Sequence, residues 1–174
     1  MLPCSFNGGT LRRLRLDDLA AFQAYRRDPE LGRYQGWLPL SEAPARAFLS
    51  EMSEARLFAP GEWIQLGIAE PASDRLVGDI GIFLAPDGGS GEIGFTLEPS
   101  SQGRGVATAA VQAAARLVFS ATPARFILGI TDTRNAASIR LLERAGFRHS
   151  ESRDAVFRGE PCREAVYVLL RTGG

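Results

Sequence analysis

The sequence predicts an α/β (α+β) fold: a mixed, mostly antiparallel sheet flanked by helices. Three observations point there. Strand-like runs follow one another in mid-chain with only turn clusters between them. Strand, helix and strand then alternate from Glu92 to Ile130, and amphipathic helical patterns lie on both sides of this block.

Each element has a local reason. "GTLRRLRL" alternates apolar and basic residues at Leu11, Leu14 and Leu16 with a slip in its period, which predicts a half-buried strand. In "LAAFQAYRR", Leu19, Phe22 and Tyr25 or Arg26 recur at helical spacing, Asp17 and Asp18 suit an N-cap, and Pro29 ends the pattern. After the loop "RYQGWLPLS", Phe48, Leu49, Met52 and Leu57 form the apolar face of a second helix, closed by Pro60 and Gly61. "EWIQLGIAE", "RLVGDIGIFLA" and "GEIGFTLE" are strands of an antiparallel meander, separated by the turn clusters "PASD" and "PDGGS". A helix from about Ala107 to Ser120 leads to "RFILGITDT", a continuous apolar run typical of a buried strand. "NAASIRLLERAGF" is a short amphipathic helix, with Asn135 at the N-cap and Gly146 at the position after the C-cap. "EAVYVLLR" is the last strand. The order is β-α-α-β-β-β-α-β-α-β, with a parallel βαβ unit from Glu92 to Ile130. No repeat, low-complexity segment or linker divides the chain, so residues 1–174 are expected to form one domain.

Composition narrows the function classes. A chain of 174 residues, 45% apolar and 23% charged, is that of a soluble globular domain. Zero net charge gives no global field favouring nucleic acid or an anionic membrane, and it argues against strongly polycationic acceptors. All twenty basic residues are arginine, scattered along the chain rather than clustered as a phosphate site would need. Cys4 and Cys162 lack spaced partners for a metal site or a disulfide framework and read as reduced thiols, so no metal is expected. The N-terminus has no signal-peptide pattern and no stretch reaches the length of a membrane span, which points to the cytoplasm.

The stretch "PSSQGRGVATAAVQAAARLVF" (residues 99–119) runs from a polar, glycine-containing turn straight into an alanine-rich helix. A helix N-terminus leaves N–H groups without partners and carries partial positive charge, and glycines there let an anion approach the backbone. A Walker loop requires a lysine, and this chain has none. A dinucleotide fingerprint would need glycine where Thr108 stands, in an early βαβ unit.

Gln102-Gly103-Arg104-Gly105-Val106-Ala107 matches the Q/R-x-x-G-x-G/A signature of the GNAT N-acetyltransferases, between the expected strand and helix. "NAASIRLLERAGF" resembles the N-x-x-S-x-x-x-x-x-x-x-G-F block of the branch similar to ribosomal-protein N-terminal acetyltransferases, the RimJ/RimL type. "LRRLRLDDLAAF", "YQGWLPLS" and "VYVLL" resemble the same branch, so the resemblance spans nearly the whole chain in order. It implies the GNAT fold and a bacterial, cytoplasmic enzyme that moves acetyl from acetyl-CoA to a primary amine, a peptide N-terminus or a small molecule, by direct attack. Many relatives pair as dimers, which leaves a homodimer open. The alternative from another class is a GNAT-fold module that binds acyl-CoA without turning it over.

The resemblance also implies site roles. Backbone N–H groups from Gln102, Gly103, Arg104, Gly105, Val106 and Ala107, with the Thr108 hydroxyl, would hold the pyrophosphate of acetyl-CoA, while the Arg104 side chain reaches either a phosphate or water. The strand carrying Phe95, Thr96 and Leu97 would splay from "FILGITD" to admit the pantetheine arm, with an N–H near Phe95 facing the thioester carbonyl. Asn135 is both an expected N-cap, accepting from the N–H of Ser138, and a cofactor contact; Ser138 is a cofactor contact and the acid for the leaving thiolate. Glu92 is either the general base, directly or through water, or a solvated strand-end carboxylate; Asp79 in "VGDIGI" is a further carboxylate to weigh. Tyr34, Trp37 and Tyr167 either line the acceptor side or pack in the core, and His149 is expected at the surface.

Overall fold

The computed structural model describes residues 1–172. One sheet contains β1 (Cys4–Phe6), β2 (Gly9–Arg13), β3 (Trp63–Ala69), β4 (Leu76–Leu84), β5 (Ser90–Leu97), β6 (Phe126–Asp132), β7 (Arg148–Phe157) and β8 (Glu160–Leu170), in the order β1-β2-β3-β4-β5-β6-β8-β7. The β5–β6 pair is parallel and the other pairs are antiparallel. The helices are α1 (Leu19–Arg26), α2 (Pro29–Gly32), α3 (Glu42–Glu54), α4 (Val106–Ala121) and α5 (Ala136–Arg144). This is the expected mixed, mostly antiparallel sheet with flanking helices, and the βαβ unit is β5-α4-β6.

The two sheet faces are covered differently. On one, α4 presents Ala110, Val111, Ala113, Ala114 and Val118, all fully buried; its small side chains let the helix lie close to the strands. Next to it, α5 seats Leu142 over Gly129, where an added Cβ would stand 2.5 Å from the leucine. On the other face, α1 and α3 cover part of β3 and β4. There Asp79 of β4 is fully buried and accepts hydrogen bonds from Tyr25 and Arg26 of α1 and from Gln65 of β3.

Several elements depart from the sequence expectations. Pro29 does more than stop α1: it occupies the first turn of α2, where a proline loses no helical bond, and Asp28 caps that turn by accepting from the N–H groups of Glu30 and Leu31 (2.9 and 3.4 Å). Asp18 stands before α1 but makes no capping bond; its carboxylate is taken by buried Arg12 (2.8 and 2.9 Å) and by the N–H of Arg15. A charge-assisted bidentate pair outcompetes a single cap. Strand β2 ends at Arg13, leaving Leu16 half exposed. Strands β1 and β7 were not expected. Exposed side chains dominate β7, so no apolar alternation marks it, and it exists because β8 offers a backbone ladder.

Candidate functional site

The sheet divides along its middle. Strands β5 and β6 pair only over Ser90–Glu92 and Phe126–Leu128; beyond that, β5 stays with β4 and β6 with β8, opening a wedge. Backbone alternation tells which groups face it. The N–H of Glu98 bonds the Val77 carbonyl on the β4 side (2.8 Å), so Thr96 and Gly94 turn their backbone groups the same way, and Phe95 and Leu97 turn theirs toward the wedge. Two side-chain bonds agree: Gln35 Nε2 donates to the Phe95 carbonyl (3.1 Å) and Gln102 Nε2 to the Leu97 carbonyl (2.9 Å).

At the mouth of the wedge lies the glycine loop. Gly103 and Gly105 have φ of 76° and 77°, the left-handed region, and a Cβ on either would meet no atom within 4 Å. The first intrahelical bond of α4 runs from the Ala109 N–H to the Gly105 carbonyl, so the N–H groups of Val106, Ala107 and Thr108 precede the ladder. Glu98 anchors the approach to the loop. It accepts from Arg75 (2.7 and 3.0 Å) and from the Ser100 and Ser101 hydroxyls (both 2.9 Å), which hold its carboxyl below the usual value, the arginine most strongly. Arg104 bends back onto the Ser100 carbonyl (3.0 Å) and lies outside the cleft wall.

A cleft of about 590 Å³ joins these parts. One wall is the loop and the start of α4: Gln102, Gly103, Gly105, Val106, Ala107 and Thr108. The back is Phe95, Thr96 and Leu97 of β5, and Asn135 and Ser138 line the α5 side together with Arg140 and Arg144, one helical turn apart. Asn135 caps α5 as expected, its Oδ1 accepting from the Ser138 N–H at 3.1 Å. The remaining wall comes from residues 28–35, where the guanidinium groups of Arg33 and Arg134 lie 5.4 and 5.8 Å from the Tyr34 ring. A second cavity of about 40 Å³ sits in the wedge itself; Tyr34, Gln35, Phe95, Asn135 and Ser138 border both spaces, while Gly94 and Ile130 border only the inner one.

Other expected site residues lie apart from the cleft. Glu92 is half-buried on β5, two residues before Gly94 and on the same face; burial raises its carboxyl above the usual range, Glu164 adds to the effect and Arg153 opposes it. Among the described residues its carboxylate makes no ion pair. Trp37 packs under Arg26 (4.8 Å) and donates its Nε1–H to the Thr96 hydroxyl (3.1 Å), so the Thr96 side chain is engaged on that face. Tyr167 is only 5% exposed and points to the α5 face, its hydroxyl 3.3 Å from Glu143 and its ring against His149 at 5.4 Å. His149 sits on exposed β7, as expected. Asp79, weighed as a base, is sealed beneath α1.

Sequence reasoning missed Gln35, Arg140, Arg144 and Arg158. The turn "FRGE" places Arg158 and Gly159 at φ 52° and 79°, a hairpin turn with both central residues left-handed. From there Arg158 donates to the carbonyls of Gly32 (3.2 Å), Gln35 (3.0 Å) and Trp37 (3.2 Å), bracing the loop that forms the cleft's outer wall. Arginine in a position that favours asparagine or glycine was the available signal.

Comparison with known proteins agrees with this geometry. Residues 10–148 match the family model described as an acetyltransferase (GNAT) domain. The uncharacterized N-acetyltransferase p20 of Bacillus licheniformis is 27% identical over 141 residues, 80% of this chain and 78% of that one. A GNAT-family acetyltransferase from Bacillus anthracis superposes with a TM-score of 0.84 at 21% identity, over 95% of this chain and 96% of that one. The ribosomal L7/L12 alpha-N-protein acetyltransferase RimL, in complex with coenzyme A, superposes with a TM-score of 0.78 at 16% identity, over 94% and 93% of the two chains.

Proposed function

Because the chain belongs to the GNAT acetyltransferase family, we propose that it works as a single domain moving acetyl from acetyl-CoA to a primary amine by direct attack. The observation that carries this is the wedge between β5 and β6, opening beside a left-handed glycine loop and the start of α4. The Gln102 N–H is bonded to the Pro99 carbonyl (3.2 Å). In this proposal, therefore, the N–H groups from Gly103 to Thr108, with the Thr108 hydroxyl, hold the pyrophosphate, the wedge-facing backbone of Phe95 and Leu97 holds the pantetheine amides, and Asn135 and Ser138 lie by the sulfur. The amine nitrogen attacks the thioester carbonyl, an N–H near Phe95 stabilises the oxyanion, and the C–S bond breaks. Glu92 takes the proton the nitrogen sheds, directly or through water, and Ser138 passes a proton to the departing thiolate while regaining one from water. A thiol with a pKa near ~8.5 leaves with little help, so Ser138 contributes less than the phosphate loop.

The acceptor follows from proton cost. An α-amino group with a pKa of about 7.7–8.0 is roughly one-tenth neutral at pH 7, whereas a lysine-like amine at about 10.4 needs roughly 4.5 kcal/mol to lose its proton. A half-buried carboxylate without a second base favours the α-amino group, so peptide N-termini lead the proposed acceptors. The RimL neighbour, a ribosomal L7/L12 alpha-N-protein acetyltransferase, supports the same choice.

The test is thiol release from acetyl-CoA with peptides bearing free N-termini, N-blocked lysine peptides, polyamines, aminoglycosides and amino acids. Turnover of the free N-termini, lost in Gly105→Glu and strongly reduced in Glu92→Gln, is the expected outcome. Tight acetyl-CoA binding without turnover of any amine would replace the enzyme with an acyl-CoA-binding module.

A further inference from the structure

On the sheet face away from α4 and α5, register partners form rows, since directly paired residues point to the same side. Trp63, Phe83, Glu92, Leu128 and Val168 are one such row, crossing β3, β4, β5, β6 and β8. Two residues along, Gly81 and Gly94 are partners in the next row. Beyond them Asp79 and Thr96 lie buried beneath α1 and Trp37. The Trp63 ring and Gln65 fill the space over Gly81, so the middle row is a trough whose open floor is Gly94, with Trp37 on one side and the Trp63–Phe83 pair on the other.

Neither glycine has a positive φ, so the backbone does not require them. Gly81 makes room for its neighbours: an added Cβ would stand 2.9 Å from Gln65 Oε1 and 3.3 Å from the Trp63 ring. At Gly94 an added Cβ would meet no atom within 4 Å. Glycine inside a central strand weakens the sheet and often marks a close approach by something else. Gly94 also borders the inner cavity, so the trough and the wedge meet at this residue.

The lining is apolar around one available charge. Trp63 is 48% exposed and its ring lies 5.5 Å from that of Phe83. Asp79 is committed to Arg26 (2.9 Å) and Glu164 to Arg153 (3.3 Å), while Glu92 makes no ion pair among the described residues. One carboxylate between aromatic walls matches a single ammonium attached to an apolar group, not a polycation.

We infer that Gly94 is the aperture through which the acceptor amine reaches the wedge, and that Trp63 and Phe83 select an amine carrying an apolar or aromatic group beside its nitrogen. This rests on the amine-acetylation proposal above. The experiment compares peptides with free N-termini that differ only in their first residue (Phe, Leu, Ser, Gly, Asp, Lys). It measures kcat/KM for each and, separately, binding of each to the protein loaded with CoA. Phe and Leu are expected to lead by about tenfold or more, and Trp63→Ser to erase that lead. Gly94→Val is expected to lower turnover of every peptide about tenfold or more, with Tm not reduced and acetyl-CoA affinity held within about twofold. A flat ranking, a lead that survives Trp63→Ser, or unchanged acceptor kinetics in Gly94→Val overturns the inference, and so does the absence of both binding and turnover. Turnover without side-chain preference leaves the acetyltransferase standing and removes the trough. Trp63-dependent binding of the Phe peptide without turnover does the reverse.

Discussion

Asp79 and Glu92 are carboxylates on the same sheet face, and their surroundings give them opposite characters. Asp79 is fully buried and accepts from Tyr25, Arg26 and Gln65. Asp79→Ala strands the buried Arg26 guanidinium, so a loss of about 3–5 kcal/mol is expected in urea unfolding. Among the described residues Glu92 lacks such partners, and burial together with Glu164 lifts its carboxyl above the usual range against the pull of Arg153. A base works deprotonated, so kcat/KM rises with pH through this ionisation, above the ordinary carboxylate range. In Glu92→Gln that limb disappears from the pH profile and the limb of the acceptor amine remains. The stability sign runs the other way. A raised folded-state pKa means that ionisation at neutral pH opposes folding, so Glu92→Gln should hold or raise Tm at pH 7 while activity falls.

At the scale of elements, two tethers set the site. Glu98 ties the approach to the glycine loop to Arg75, and its lowered carboxyl means the tether's stability is complete above the ordinary glutamate value and lost as pH falls through the folded one. The β7–β8 hairpin ties down the outer wall through Arg158. Arg158→Asn suits the left-handed turn at least as well as arginine does, so Tm should hold while three loop carbonyls lose their donor. The acceptor KM is expected to rise about tenfold or more, since small misplacements of positioning groups are costly, and Arg158→Lys should restore part of it. These tethers also explain what the sequence could disclose. The glycine loop and the Asn135 cap are defined by residues within one turn of each other, so local spacing reveals them. Gln35 meets Phe95 across 60 residues and Arg158 meets Gln35 across 123, and no local period records such contacts.

For the whole molecule, the meander, the βαβ unit and the long helices were readable because their buried faces impose a period on the sequence. Strand β7 was not, because an exposed edge strand needs only backbone partners, and the trough was not, because it depends on the register of five strands at once. Acetyl-CoA bound across the division between β5 and β6 should couple the two halves of the sheet. At about 100 times its Kd it should stabilise the fold by about 2.7 kcal/mol. For a chain of this size that is a rise in Tm of about 5–10 °C, absent in Gly105→Glu. With Gly94 as the acceptor's aperture, the division in the sheet has two mouths: the cleft at α4 and α5 leads in from one face and the trough at Gly94 from the other. Neither reactant then blocks the other's path, and each product departs by the door its parent used. Order of addition is consequently free: each reactant should bind the protein in the absence of the other, and a dead-end analogue of either should compete with its own counterpart and be noncompetitive against the other reactant.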